Sequence, residues 1–237
     1  MPRRLVLALS VACFALLGCA RAAADRRSDI APDDASSAAL SAFVAVVGHW
    51  TPVHDGGAAF KADGETWSGT TERSHLERVA RSIFASPVDD FIANGTAEGA
   101  FPLAVFDDVR DFSTGTIRVR FKLLGGRSDQ NAGIVFGLQP GGEYLFVRYN
   151  TKDGDVALWE YSNGKRRVLA HGTTKAKLPL ERWHELAVTV SASRVTGAVN
   201  GGSLTVEHTL VAPPTGRVGL WTKRDAITVF RDFRVTR

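Results

Sequence analysis

The sequence predicts an all-β fold, an antiparallel sandwich with one short helix, and three observations carry that expectation. The 237 residues include 23 glycines and a single methionine, a composition that favours strands and tight turns over packed helices. About a dozen short apolar runs, recurring every ~8–12 residues, are split by turn-forming residues. One run, Gly115 to Leu123, alternates strictly: Ile117, Val119, Phe121 and Leu123 face one way, and Arg118, Arg120 and Lys122 face solvent on the other.

The chain opens differently. Met1 to Arg4 is a short positive segment, Leu5 to Leu17 is apolar but too short to span a bilayer, and small residues follow. Residues 1–24 therefore read as an export signal. Two cleavage readings stand side by side: Leu16-Leu17-Gly18-Cys19 resembles a bacterial lipobox with Cys19 lipidated, while Ala22-Ala23-Ala24 offers a site for ordinary signal peptidase. The expected location is the periplasm or the outer membrane as a lipoprotein, the membrane surface being touched only through the lipid anchor. A soluble periplasmic or secreted protein is the alternative. Cys13 and Cys19 are the only cysteines, so the remaining chain has neither a disulfide nor a catalytic thiol.

Residues 25–42 are polar and small and read as a flexible tether. The sandwich is expected over 43–237. Its one helical interruption has Leu76, Val79, Ala80, Ile83 and Phe84 at helical spacing, with Ser74 and Glu77 as a capping box, and should pack over a sheet edge or end.

The charge balance is uninformative about partners until the leader is removed. The formal charge is +4, but Arg3, Arg4 and Arg21 lie in the first 24 residues, and from Asp25 onward 26 basic residues face 25 acidic ones. The densest basic run, Lys165-Arg166-Arg167, reads as a hairpin tip and is too short to track a phosphate backbone. No nucleic-acid partner is expected, and the chain is read as a monomer.

The chemistry concentrates in residues 129–161. A hairpin through Gln139-Pro140-Gly141-Gly142 pairs Leu138 with Glu143, Phe136 with Leu145 and Ile134 with Val147, all facing the core. Tyr144, Phe146, Arg148 and Asn150 then occupy the outer face, across from Gly137, Val135, Gly133 and Asn131. A sugar ring needs an aromatic surface for its C–H face and planar polar groups for its hydroxyls, and this ladder supplies both. The alternative is that Arg148 pairs with a carboxylate and Phe146 is covered.

In the next strand, a pairing of Arg148 with Leu158 brings Glu160 to the outer face, and a slip by one brings Trp159 there instead. Asp153-Gly154-Asp155 between the strands is foremost a turn; a structural calcium ion is its second reading, and no other cofactor is expected. Asp232, between Phe230 and Phe233, is read as a buried hydrogen-bonding carboxylate ahead of a calcium ligand. His49 and His54 are read as structural or exposed, not as zinc ligands. The alternating acidic cluster of retaining β-glucanases is absent.

Several segments resemble a known group of domains: Asp107 to Thr116, Asp129 to Ile134, Tyr144 to Asn150, Arg182-Trp183-His184-Glu185-Leu186, Asn200-Gly201, and Gly219 to Asp225 with Phe230 to Val235. They are similar to the concanavalin A-like, laminin-G-like jelly-roll domains of bacterial exported proteins, and especially to the 3-keto-disaccharide hydrolase domain family, over roughly residues 100–237. The resemblance implies a jelly-roll β-sandwich, a glycan or small saccharide as partner, and Trp183 as a core-packing residue.

The expected function is carbohydrate binding through Tyr144, Phe146, Arg148, Asn150, Asn131, Gln130 and Trp159. An enzymatic alternative, a glycoside hydrolase or lyase acting on 3-keto-disaccharides, would use Glu160 and Asp129. A third reading is an envelope scaffold binding another protein. Lys223 and Asp225 adjoin the same strands and are secondary candidates, with surface ion pairing and turn capping as their other roles.

Overall fold

A computed structural model of the chain describes residues 41–237 apart from 68, 86–87 and 98–100. The expected signal segment, Cys19 and most of the tether lie outside the described residues.

The fold is an antiparallel jelly-roll β-sandwich. One seven-stranded sheet runs β1 (Phe43–Val47), β4 (Leu103–Phe106), β13 (Arg217–Trp221), β6 (Asn131–Leu138), β7 (Tyr144–Asn150), β8 (Asp155–Ser162), β9 (Lys165–His171). The other runs β12 (Leu204–Thr209), β11 (Arg194–Val199), β10 (Trp183–Ser191), β5 (Gly115–Gly125), β14 (Ile227–Thr236), β3 (Ala58–Asp63), β2 (Trp50–His54). The inner faces meet in a core that includes Phe121, Ile134, Phe136, Val147, Tyr149 and Leu158. The alternation read along β5 holds, with Ile117, Val119, Phe121 and Leu123 all fully buried.

A second apolar core lies on the outer face of the first sheet, under two helices rather than the one expected. Helix α1 (Arg73–Phe84) buries Leu76, Val79, Ala80 and Ile83 along one stripe. The capping box does not form: the N-cap is Glu72, Ser74 is already inside the helix, and its hydroxyl meets only the Glu72 carboxylate at 3.4 Å. Helix α2 (Asp89–Ala97) escaped the sequence reading because Asn94, Gly95 and Thr96 are weak helix formers and Phe91 and Ile92 show no helical period. Tertiary contacts hold it instead. Asn94 donates to the Gly141 carbonyl at 2.6 Å, and a side chain at Gly95 would collide with Leu76.

The hairpin register is as read at Phe136–Leu145, Val135–Phe146, Ile134–Val147, Gly133–Arg148 and Asn131–Asn150. It departs near the turn. Gly137 adopts a left-handed φ of 63°, which reverses the alternation and turns Leu138 into the outer core under the helices.

Two further expectations are corrected. Asp232 is not a buried hydrogen-bonding carboxylate: it occupies a bulge in β14 at φ 55°, half-buried, with Arg231 3.5 Å and Arg120 3.9 Å away. Trp183 is not in the core. It pairs with Lys122 and shares that residue's outward face, while the next residue, His184, packs against Phe121 at 5.6 Å. His184 donates to the Pro179 carbonyl and accepts from Asn200, so the buried anchor is the histidine.

Candidate functional site

The outer face of β6, β7 and β8 divides into an apolar half and a polar half. At the hairpin end, Tyr144 and Phe146 are only 6% and 0% exposed. Tyr144 stacks on Tyr161 at 4.9 Å and Phe146 on Trp221 at 4.3 Å, within the core that α1 and α2 complete. Phe146 is closed off from solvent, and Tyr144 shows only an edge to the surface cavity it borders with Glu160 and Tyr161. The helices cover them because two adjacent aromatic residues facing outward make an apolar surface that water would otherwise wet.

Further along the same strands the face turns polar. Arg148 stands across from Gly133 on one side and Ala157 on the other, so its guanidinium lies between neighbours too small to obstruct it. It donates through Nη1 to Asp155 Oδ1 at 2.9 Å and through Nη2 to Asp153 Oδ2 at 3.3 Å. Asn150 donates to the same Asp153 oxygen at 2.9 Å and accepts the Lys152 N–H. The Asp153-Gly154-Asp155 turn therefore aims both carboxylates at a guanidinium. Among the described residues no cluster of three or more His, Cys, Asp or Glu side chains could hold a metal ion.

Of the two registers open for β8, the structure adopts the slipped one: Phe146 pairs with Trp159 and Arg148 with Ala157. Trp159 joins the outer face, its ring 5.6 Å from the Arg148 guanidinium carbon. Glu160 falls across from Leu145, so alternation gives it the opposite face, and it is ion-paired to Arg167 at 2.7 Å. Asp129 precedes Asn131, which pairs with Asn150. The five residue steps from Leu145 to Asn150 span about 16 Å of strand, beyond the ~5–9.5 Å that paired glycosidase carboxylates require. Glu160 and Asp129 are not a catalytic pair.

His171, at the end of the edge strand, was not foreseen. It pairs with Ala157 and donates through Nδ1 to Asp155 Oδ2 at 3.0 Å. Asp155 thus serves Arg148 with one oxygen and His171 with the other. The histidine side chain is 56% exposed, so its Nε2 faces solvent. Sequence gave no sign of this pair, because 16 residues and a hairpin separate the partners.

The loop before β6 completes the polar half. Asp225 accepts the backbone N–H groups of Arg127, Ser128 and Asp129 at 2.7–3.1 Å. Burial pushes its carboxyl upward, but the donors from Ser128, Asp129 and Arg127 outweigh that and hold it below the ordinary carboxylate range. Gln130 closes the loop by donating to the Gly126 carbonyl at 2.9 Å. Both are structural roles. The arrangement presents Asp129, whose Oδ1 takes the Lys223 ammonium at 3.0 Å. Its Oδ2 is buried and has no hydrogen-bond partner, and neither amide atom of the fully buried Asn131 has one. The indole N–H of Trp159 is likewise unpaired.

Such orphans are rare in folded proteins, each costing about 1–3 kcal/mol when left dry. Here they sit beside an ordered polar array in which Asp129, Asp153 and Asp155 are matched by Arg148, Lys223 and Arg224. The array offers both donors and acceptors without net charge, which is the complement of a polyhydroxyl compound. The structure brings together Arg148, Asn150, Asn131, Trp159, Asp129 and Lys223 from the expected residues, and leaves Tyr144, Phe146 and Glu160 elsewhere.

No protein-family model and no curated protein matches the sequence. Among solved structures, carbohydrate-binding module CBM66 from Bacillus subtilis is 13% identical with a TM-score of 0.59, over 83% of this chain and 96% of that one. That likeness shows the fold. A Bacillus licheniformis β-glucanase, 13% identical over 58% of this chain and 71% of its own, aligns with a TM-score of 0.43. A tetrameric galectin from the ball sponge Cinachyrella, 12% identical over 53% and 94%, aligns at 0.42.

Proposed function

We propose that this protein binds a neutral saccharide at the polar half of the outer face of its first sheet. The observation that carries the proposal is the polar array built on the Arg148–Asp155 and Lys223–Asp129 pairs, with Asp153 and Arg224 open to solvent at its rim. A sugar's vicinal hydroxyls would donate to the exposed Asp153 carboxylate and accept from the exposed Arg224 guanidinium that lies beside Asp129, with Trp159 as the apolar wall. The fold shared with a carbohydrate-binding module supports the same class of ligand. The test is calorimetric titration of the full chain with sugars selected on a glycan array, repeated with Asp153→Ala. Binding that is absent, or indifferent to that substitution, rejects the site.

A second reading is enzymatic and is favoured by His171. With Asp155 fixing its Nδ1 proton, Nε2 carries the lone pair of a general base toward solvent. The resemblance to 3-keto-disaccharide hydrolases suggests the glycosides to try. Turnover that survives His171→Asn removes this reading while leaving the binding proposal intact.

We further propose an envelope location with a lipid on Cys19, supported by the reading of residues 1–24 as an export signal. Intact mass decides between a lipidated Cys19 and an unmodified chain beginning at Asp25.

A further inference from the structure

The outer face of the second sheet carries a feature that the saccharide site does not use. Alternation along β5 turns Arg118, Arg120 and Lys122 outward, and the neighbouring β14 adds Arg231 and Arg234. The register sets Arg120 directly opposite Arg231 and Arg118 directly opposite Arg234. Like charges facing each other across a ladder weaken the sheet, and two consecutive outward positions do so here.

Trp183 sits among these cations. The Arg231 guanidinium carbon is 4.2 Å from its ring centroid, the Lys122 ammonium 5.1 Å and the Arg120 guanidinium carbon 5.7 Å. The face is only partly neutralised. Glu185 pairs with Arg118, Asp232 lies near Arg120 and Arg231, and Asp55 pairs with Lys122. Arg234 is exposed and has no carboxylate partner among the described residues. The Arg118 and Arg120 side chains remain 52% and 41% exposed, so guanidinium donors stay available to a ligand.

We propose that this face is a second binding site, for an acidic polysaccharide carrying carboxylates or sulfates. Guanidinium groups on alternate residues recur about every 6.6 Å along a strand, and planar guanidinium forks bind carboxylate or sulfate oxygens in pairs. Trp183, with Arg231, Lys122 and Arg120 over its ring, holds these cations together on the face. Glu185 and Asp232 between the arginines suit a chain with discrete anionic groups and oppose a continuous anionic surface such as a bilayer.

The test uses the full chain in native gels cast with polygalacturonate, dextran sulfate or neutral dextran, and flotation with phosphatidylglycerol vesicles. The expected result is retardation by one or both acidic polymers and not by dextran, fading as salt is raised and the charges are screened. Arg118→Ser combined with Arg234→Ser should weaken retardation about tenfold, losing the forks that dock the anions. Both residues are surface-exposed, and thermal melting confirms that the variant is folded. Arg120→Lys, which keeps the charge but loses the fork, should weaken it less. Asp153→Ala should leave it unchanged, so loss of the neutral-sugar site does not bear on this one. Absence of retardation, retardation that ignores the double substitution, or stronger capture by the vesicles than by either polymer overturns the proposal.

Discussion

Arg148 and Asp155 meet at 2.9 Å across adjacent strands, with only 8% and 4% of their side chains exposed. Buried pairs of this kind contribute little net stability against an apolar alternative, because desolvating both ions offsets most of their attraction. Breaking one is a different matter. Arg148→Ala leaves the Asp155 carboxylate facing only His171, and should cost about 3–5 kcal/mol, read by denaturant unfolding. Saccharide binding should be lost under conditions where the variant is still folded.

The two halves of the outer face predict opposite behaviour for two aromatic residues. Phe146→Ala opens a cavity beneath the helices and should destabilise by about 3–5 kcal/mol, with sugar affinity unchanged once temperature is lowered to keep the protein folded. Trp159→Ala should cost far less stability and weaken binding about tenfold, the equivalent of ~1.4 kcal/mol. Glu160→Gln should affect neither.

Asp225 should govern acid stability. Its carboxyl is held below the ordinary range in the folded chain by the N–H groups that outweigh its burial. Its contribution is therefore present above the unfolded value of about 4 and is lost as pH falls through the lower, folded value. Asp225→Asn should lower the melting temperature more at pH 7 than in acid, flattening the acid limb of the stability curve. Sugar affinity should also fall, because the loop presenting Asp129 loses its anchor.

Gly126 is a backbone requirement of the site. At φ 128°, a Cβ there would stand 1.9 Å from the Asp129 carbonyl oxygen. Gly126→Ala must displace that loop, and the expected outcome is loss of sugar binding with the sandwich intact by circular dichroism.

The sequence by itself determined much of the sandwich. Period-two alternation along β5 and the pairing of Gly133 with Arg148 and Asn131 with Asn150 follow from apolar patterning and turn chemistry, which act over neighbouring residues. It also singled out Arg148, Asn150, Asn131, Trp159 and Asp129, the residues that the structure assembles.

What only the tertiary structure decided depended on contacts between distant segments. Local preference could not announce α2, whose order rests on Gly141 and Leu76. Nor could it show that helices would cover Tyr144 and Phe146, or that β8 would slip by one residue and send Glu160 to the other face. Trp183 was misplaced for the same reason: strand alternation fixes that two neighbours face opposite ways, and which of them enters the core is settled by the sheet that packs against it.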